Sequence, residues 1–227
     1  MNQLYKIPLF FLAILLLFAC KKDSNNIQPY TGKNYVPLKT GTYIIYQVDS
    51  YYIDDFYNPS KIDTFSFKIK EEITEKFIDA EGNTAFKLTR YKKNTDTTNW
   101  FVKDVWYVNK TETAYETVEE NKRYIKLIFP VKLDKTWDGN LKNIDPSREF
   151  TYTQVHESDV VGTLSFDSVL TVNQIDETTL ISQKLIDEKY AAGIGMIYKY
   201  YKDVATELNG TLKSGVIYEM KVINYAK

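Results

Sequence analysis

A period-two alternation of apolar and polar side chains constrains this sequence more than any other feature. Three segments show it clearly, within residues 64–69, 123–129 and 164–172. Their apolar faces are Phe65, Phe67 and Ile69; Ile125, Leu127 and Phe129; and Leu164, Phe166, Leu170 and Val172. Because successive side chains of a strand point to opposite faces, each segment is predicted to be a half-buried β-strand.

Similar segments recur along the chain and are separated by turn residues such as those of Asp138-Gly139-Asn140. Further strands are predicted over 42–53, 84–92, 100–108, 114–118, 149–155, 195–201 and 216–225. At most one short helix or irregular segment is expected, near residues 182–192. The fold class is therefore all-β, an antiparallel meander that forms either a barrel or a strongly curved sheet.

The first residues have the composition of an export signal. Lys6 is followed by an uncharged apolar run over residues 7–19, which is too short to span a bilayer but has the length of a signal-peptide core. The tetrapeptide Leu17-Phe18-Ala19-Cys20 resembles the lipobox of bacterial lipoproteins, in which cleavage precedes a cysteine that carries a diacylglycerol. The resemblance implies a signal peptide over residues 1–19 and lipidation of Cys20.

The single cysteine agrees with lipidation, because Cys20 has no partner for an internal disulfide. Residues 20–40 are predicted to be the lipidated cysteine and a flexible tether, and residues 41–227 a single β-rich domain. Lys21 stands where lipoproteins retained in the inner membrane carry aspartate, so the outer membrane is expected. Lys22-Asp23 loosely resembles surface-export signals and leaves the periplasmic and outer faces both open.

The charge balance argues against a nucleic-acid partner. The chain has 29 Lys and Arg against 30 Asp and Glu, and no basic stripe. It is rich in aromatic residues, with 19 Tyr, 12 Phe and 3 Trp. Four of them are candidates for a binding surface: Trp100, Trp106, Tyr107 and Trp137. In residues 100–108 both faces are apolar, so these rings either form extra core or face a partner.

Groups able to perform catalysis or bind metal are scarce. His156 is the only histidine and Cys20 is expected to be acylated, so no nucleophile–base pair is available. Neighbouring carboxylates such as Glu71-Glu72 point to opposite faces of a strand and cannot flank one substrate bond. Residues 134–145 match a calcium loop only in part, with Lys142 at a ligand position. No enzyme activity, metal or cofactor is predicted.

Three stretches together resemble a group of Bacteroidota cell-envelope lipoproteins over most of the chain that follows Cys20. They are residues 123–131, residues 137–140 and Tyr190-Ala191-Ala192-Gly193-Ile194-Gly195-Met196-Ile197-Tyr198. The resemblance implies an envelope location and one β-rich domain, and it implies no particular activity.

Two functions are compatible with these features. The first is a non-catalytic binding or structural module that presents aromatic surface to a glycan or an envelope protein. The second is a carrier that encloses a lipid or another hydrophobic ligand in a β-barrel cavity. The interior decides between them: inward side chains such as Phe65, Phe67, Ile125, Leu127, Leu164 and Phe166 either fill the barrel or line a void.

If the lipidated chain faces outward, a protease added to intact cells should remove the domain. We expect immunoblotting to show loss of the domain from the cells, while a periplasmic marker protein stays intact. Complete protection of the domain on intact cells, with cleavage after lysis, would contradict the outward orientation.

Overall fold

The computed structural model describes residues 30–227, and within them twelve strands form one antiparallel sheet that curls into a nearly closed barrel. The strands are β1 Tyr43–Asp54, β2 Lys61–Ile78, β3 Thr84–Lys93, β4 Phe101–Lys110, β5 Ala114–Glu119, β6 Lys122–Ile128, β7 Thr136–Asp138, β8 Glu149–Val161, β9 Leu164–Thr178, β10 Ser182–Ala191, β11 Gly195–Thr206 and β12 Leu212–Ala226. The predicted all-β antiparallel meander is confirmed.

The first and last strands pair with each other, which leaves β6 and β7 as the two strands without a second ladder. These two edges meet at a seam, which is held by individual hydrogen bonds and not by a continuous strand ladder. Ile125 N donates to Gly139 O at 2.9 Å, and Trp137 Nε1 donates to Ile125 O at 2.8 Å. The Tyr152 hydroxyl accepts from Ile128 N and donates to Ile128 O. The seam therefore satisfies edge groups that would otherwise be open to another chain.

A short segment before β1, residues 31–38, crosses one end of the barrel; we call it the strap. It contains the 3₁₀ turn Lys33–Tyr35, and both Tyr35 and Val36 are buried in the core. The strap is bound by hydrogen bonds from three other parts of the chain. These bonds run from Val131 N to Thr31 O (3.1 Å), from Gly193 N to Asn34 O (2.8 Å), and from Lys110 Nζ to the carbonyls of Lys33 (3.1 Å) and Val36 (2.7 Å).

The packed strap corrects the expected boundary of the domain. The flexible tether was predicted over residues 20–40, but the compact unit begins at Thr31. Burial of an aromatic ring and an adjacent valine fixes this segment, which has no strand periodicity in the sequence. The predicted signal peptide, residues 1–19, the lipidated Cys20 and the rest of the tether up to residue 29 lie outside the described residues. No helix within residues 30–227 is long and apolar enough to cross a membrane.

The helix or irregular segment expected near residues 182–192 is wrong, because this segment is strand β10. Its inward residues are Ile186, Glu188 and Tyr190, so a charged side chain interrupts the apolar alternation. The short strand β7 was also missed. Several strands extend beyond their predicted ends, above all β2, which continues from residue 69 to Ile78.

The barrel contains two clusters of buried apolar side chains rather than one continuous core. The first cluster joins the strap to β5, β6, β8 and β9, and includes Tyr35, Tyr115, Leu127 and Tyr152. The second joins β1, β2, β11 and β12 to the turn between β8 and β9, and includes Tyr46, Ile69, Phe166 and Met220. Space remains between these clusters for a cavity.

No residue with a side chain fits at position 215 without strain, and replacement of Gly215 by alanine tests this. Gly215 has φ 124°, and an added Cβ would lie 2.2 Å from the carbonyl oxygen of Asp203 on the paired strand. Gly210 also has positive φ, but nothing lies within 4 Å of its added Cβ. Gly210→Ala should cost about 1–2 kcal/mol of unfolding free energy, and Gly215→Ala at least about 3 kcal/mol, measured by urea denaturation. Equal losses would contradict the steric explanation.

Candidate functional site

A cavity of about 290 Å³ lies inside the barrel and is the candidate functional site. Its apolar wall includes Val36, Leu38, Ile44, Ile73, Leu88, Met196 and Met220. Its polar wall carries three acids, three bases and five phenols: Glu71, Glu119 and Glu188; Arg90, Lys126 and Lys199; and Tyr43, Tyr46, Tyr115, Tyr190 and Tyr218. Since buried charges are costly unless they are paired, the pairing of these groups determines what the cavity can bind.

The first group of charges follows directly from strand register. Glu71 of β2 is paired with Arg90 of β3, and Arg90 with Asp104 of β4, so the three side chains form one cross-strand row. Arg90 Nε donates to Glu71 Oε1 and Arg90 Nη1 donates to Asp104 Oδ2, both at 2.9 Å. Both hydrogen bonds join opposite charges and stabilise the ionised forms.

Aromatic rings complete the surroundings of Arg90. Its guanidinium lies 3.8 Å from the ring centroid of Trp106, which is a cation–π contact. Burial by itself would lower the pKa of Arg90, but Glu71 and Asp104 outweigh burial and the pKa is raised. On the other side of Glu71, the Tyr46 hydroxyl shares its proton between Met196 O at 2.9 Å and Glu71 Oε2 at 3.3 Å, and burial raises the pKa of this phenol. The guanidinium is thus charged and fixed in position.

The second group of charges is centred on Glu188 of β10, which is 1% exposed. Lys199 is its direct partner on β11, with Nζ 3.0 Å from Glu188 Oε1. Lys126 of β6 reaches the same oxygen at 3.1 Å, and the Tyr190 hydroxyl donates to the other oxygen at 2.7 Å. Because β6 and β10 are not neighbours in the sheet, the Lys126–Glu188 pair connects two separate parts of the barrel wall.

A β-bulge places Lys126 in the cavity. In the β5–β6 ladder Tyr115 pairs with Leu127 and Glu116 with Ile125, so Lys126 is the extra residue. Lys126 Nζ also lies 3.2 Å from Glu119 Oε1, which accepts a hydrogen bond from Thr117 as well. The interior position of Lys126 was not predicted, because strict alternation assigned residue 126 to the polar face of its strand.

The ion pairs keep these groups charged despite burial. Burial raises the pKa of a carboxyl group, but Lys126 and Lys199 outweigh it and hold the pKa of Glu188 well below its ordinary value. Lys126 lowers the pKa of Glu119 in the same way. The pKa of Lys126 is raised in turn, because the two carboxylates outweigh its desolvation. The polar wall therefore carries three negative and three positive charges that neutralise one another.

One polar group of the cavity is left without a protein partner. Tyr115 is 9% exposed and lines the cavity, yet no hydrogen bond joins its hydroxyl to another residue of the described chain. Burial and the nearby Glu71 raise its pKa, so the hydroxyl is protonated and can donate. This hydroxyl is not sealed off from the cavity, so a water molecule or a ligand in the cavity can accept a hydrogen bond from it.

The strap forms the wall at one end of the cavity. Val36, Pro37 and Leu38 lie there beside Thr42, which precedes β1, and Ala226, the last residue of β12. The same strap is thus both a structural closure of the barrel and part of the site. It is also the segment that leads toward the predicted lipidation site in the sequence.

The structure does not bring the four predicted binding-surface residues together. Trp106 lines the cavity under Arg90, whereas Tyr107 points outward and is 44% exposed. Trp137 packs at the seam against the rings of Phe150 and Tyr152. Trp100 is half-buried, with Lys93 Nζ 5.9 Å from its ring centroid.

The six side chains expected to fill or line the interior do not line the cavity. Leu127 and Phe166 belong to the two core clusters, with Phe67 and Leu164 packed against the second. Phe65 is 55% exposed, because β2 continues past the core toward the β1–β2 turn. The cavity is lined instead by charged and aromatic side chains whose inward direction the alternation pattern hides.

His156 and the aspartates of residues 134–145 have structural contacts. His156 lies at a bulge of β8 with φ 62°, and its Nδ1 is 2.7 Å from the Tyr35 hydroxyl of the strap. Asp138 accepts hydrogen bonds from the backbone of Asn140 and Arg148. Asp145 pairs with Lys122. Among residues 30–227, no group of three or more His, Cys, Asp or Glu side chains is arranged to hold a metal ion.

Comparison with known proteins adds one structural likeness. No protein-family model matches the chain, and no curated protein matches it. A crystal structure from Bacteroides fragilis, of a protein thought to be exported and with a YmcC-like fold, aligns with a TM-score of 0.45 and 10% sequence identity. The alignment covers 84% of this chain and 98% of that one.

Replacing Glu188 by glutamine tests the central ion pair. Lys199 would lose its acidic partner and Lys126 one of two, so Glu188→Gln should lower the free energy of unfolding by about 3–5 kcal/mol at pH 7. The folded pKa of Glu188 is depressed, so its contribution is complete above the ordinary value of 4.5 and declines as the pH falls below it. The difference between variant and parent should therefore shrink in acid.

Urea denaturation between pH 3 and pH 7 measures this difference, taking Glu177→Gln as the control. Glu177 is exposed at the end of β9, so its replacement should change stability by less than about 0.5 kcal/mol. A Glu188→Gln variant as stable as the parent at neutral pH would show that the pair is dispensable.

Proposed function

We propose that this chain is a lipid-anchored cell-envelope protein whose barrel binds a small, uncharged amphipathic molecule in its interior cavity. The observation that carries the proposal is the composition of the cavity wall, which is apolar on one side and fully charge-paired on the other. The proposal combines the predicted binding module with binding inside the barrel.

The charge balance of the wall favours an uncharged ligand. Glu188 already accepts from three donors, and Glu71 accepts from Arg90 and Tyr46. A ligand with a net charge would add an unpaired charge to a neutral, buried site, which is strongly unfavourable. A zwitterionic or hydroxylated head group has no net charge and would not add an unpaired charge to the site.

The size of the cavity and its remaining polar capacity support a small ligand. Pockets for small molecules are roughly 300–1,000 Å³, and this cavity of about 290 Å³ lies just below that range. The Tyr115 hydroxyl is a donor without a protein partner, and the Lys199 ammonium has one carboxylate partner for its three N–H groups. A hydroxyl or carbonyl group of the ligand can accept from both, with its apolar part against Leu88 and Met196.

A binding role without catalysis accounts for the state of the titratable groups. Glu188 and Glu119 have lowered pKa values, and Arg90 and Lys126 have raised ones. None is held close to neutral pH, where a general acid or base is most effective.

We further propose that Cys20 carries the lipid and that the outer membrane holds it, as the lipobox and Lys21 predict. Nine residues lie between Cys20 and Tyr30, so ten residue-to-residue steps join them. A fully extended chain of this length spans at most about 35 Å. The barrel would then act close to the membrane surface, where amphipathic molecules are concentrated.

A second candidate function is a carrier for a lipid chain or another wholly hydrophobic ligand. The observation that favours it is the apolar end of the cavity, where Pro37, Leu38 and Ile194 lie beside Ala226. In this arrangement an acyl chain occupies the apolar part of the cavity and the remainder of the lipid stays outside the barrel.

Binding of N-phenyl-1-naphthylamine, an uncharged fluorophore that brightens in apolar surroundings, tests the interior site. The purified chain should enhance its fluorescence in a saturable manner. Leu88→Trp fills the cavity and should lower the affinity at least tenfold, equivalent to about 1.4 kcal/mol. Leu133→Trp, at a partly exposed position away from the cavity, should leave the affinity unchanged. Equal binding by all three proteins would refute an interior site.

Native mass spectrometry of the purified chain separates the two candidate functions. A bound small molecule that carries hydroxyl or amide groups supports the amphipathic ligand. A bound fatty acid or phospholipid supports the carrier.

A further inference from the structure

A second concave surface lies on the outside of the barrel, across strands β2 to β5. We call it the outer groove; it has a volume of about 510 Å³ and is lined in part by Phe77, Ile78, Ala85, Tyr107, Asn109 and Arg123. It shares no residue with the interior cavity, so it is a separate feature of the molecule.

Strand register assembles the floor of the outer groove. Phe77 of β2 pairs with Ala85 of β3, and Ala85 with Asn109 of β4, so the three residues form one row. In the adjacent row Tyr107 of β4 pairs with Lys87 of β3. The small Ala85 leaves space between the larger side chains, which makes this part of the wall concave.

Two aromatic rings form a platform in the outer groove. The rings of Phe77 and Tyr107 meet edge to face, with centroids 5.4 Å apart and an interplanar angle of 74°. Tyr107 is 44% exposed although its ring is rigidly held by this contact. An exposed, preorganised aromatic ring is a common feature of binding sites, because its large surface is already ordered before the ligand arrives.

Asn109 supplies the polar group that points to a ligand. It is 5% exposed and lines the outer groove, yet its carboxamide makes no hydrogen bond with any residue of the described chain. The carboxamide offers two N–H donors and one acceptor oxygen. Neither end of the carboxamide is sealed off from the outer groove, so a ligand hydroxyl there can both donate to and accept from this group.

The charges around the outer groove pair with one another. Lys87 Nζ lies 3.8 Å from Glu75 Oε2, and Arg123 contacts Glu81 at 3.5 Å and the buried Glu116 at 3.1 Å. The lining itself has two acids, Glu75 and Asp79, and two bases, Lys87 and Arg123, so its charges balance. These pairs favour an uncharged ligand with many hydroxyl groups.

We infer that the outer groove binds a neutral saccharide. The C–H face of a pyranose ring packs on the Tyr107–Phe77 platform, and neighbouring hydroxyl groups of the sugar bridge the two ends of the Asn109 carboxamide. An extended apolar peptide is a poorer fit for two reasons. It would bury the charged pairs at the rim, and its side chains would offer Asn109 neither a hydrogen-bond donor nor an acceptor. The inference is independent of the interior cavity.

Saturation-transfer NMR on the full chain in detergent tests the inference with three neutral trisaccharides: maltotriose, cellotriose and triacetylchitotriose. At least one should receive saturation and bind with roughly millimolar affinity. Tyr107→Ala removes the platform, and Asn109→Asp keeps the shape of the side chain but removes the N–H donors. Each should lower the affinity about tenfold or more.

Two variants serve as controls. Tyr107→Phe keeps the ring, and Tyr51→Ala removes an exposed tyrosine of β1 outside the outer groove; both should bind within about twofold of the parent. Absence of saturation transfer to all three saccharides overturns the inference, as does equal affinity in Asn109→Asp. Binding of an apolar peptide in place of any sugar also overturns it. Asn109→Asp retains the volume of the parent residue, so the test stands even if Tyr107→Ala fails to fold.

Discussion

The ion pair between Lys126 and Glu188 connects parts of the barrel that no strand ladder joins. Its partners come from β6 and β10, and the two side chains meet inside the cavity. Lys199 and Tyr190 hold Glu188 on one side, while Glu119 holds Lys126 on the other. An unpaired buried charge would strongly destabilise the folded protein, so each charged side chain of this network holds the others in position. The cavity keeps its shape through this network, since side chains tied across a space cannot collapse into it.

The network also explains why the interior differs from an ordinary apolar core. Two apolar clusters supply the hydrophobic stabilisation of the barrel, and the charged side chains occupy the region between them. Replacing a buried ionic network with packed apolar residues often stabilises a protein. The network lies beside the Tyr115 hydroxyl, which has no hydrogen-bond partner within residues 30–227. A charged network in this place therefore fits a site that recognises a ligand, even though an apolar core would be more stable.

The sequence predicts the architecture well and the site poorly, for one physical reason. Strand prediction relies on apolar residues at alternate positions, and this succeeds for ten of the twelve strands. It fails at β10, where Glu188 occupies an inward position, and at the three-residue β7. The same rule assigns Lys126 to solvent, because a bulge cannot be located from one strand alone. Arg90 and Glu71 become recognisable as partners only once their register is known. The strap is missed because it has no periodicity.

The seam between β6 and β7 has a consequence for how a molecule reaches the interior. Every other neighbouring pair of strands is joined by a ladder of backbone hydrogen bonds, and all of these ladders except the β7–β8 ladder are longer than three residues. At the seam, parting requires the loss of individual hydrogen bonds centred on Ile125, Trp137 and Tyr152, together with the Lys126–Glu188 ion pair that crosses it. The seam is therefore the part of the barrel wall where two neighbouring strands separate most easily. Lateral opening there would admit a small molecule to the interior without parting any strand ladder of the barrel.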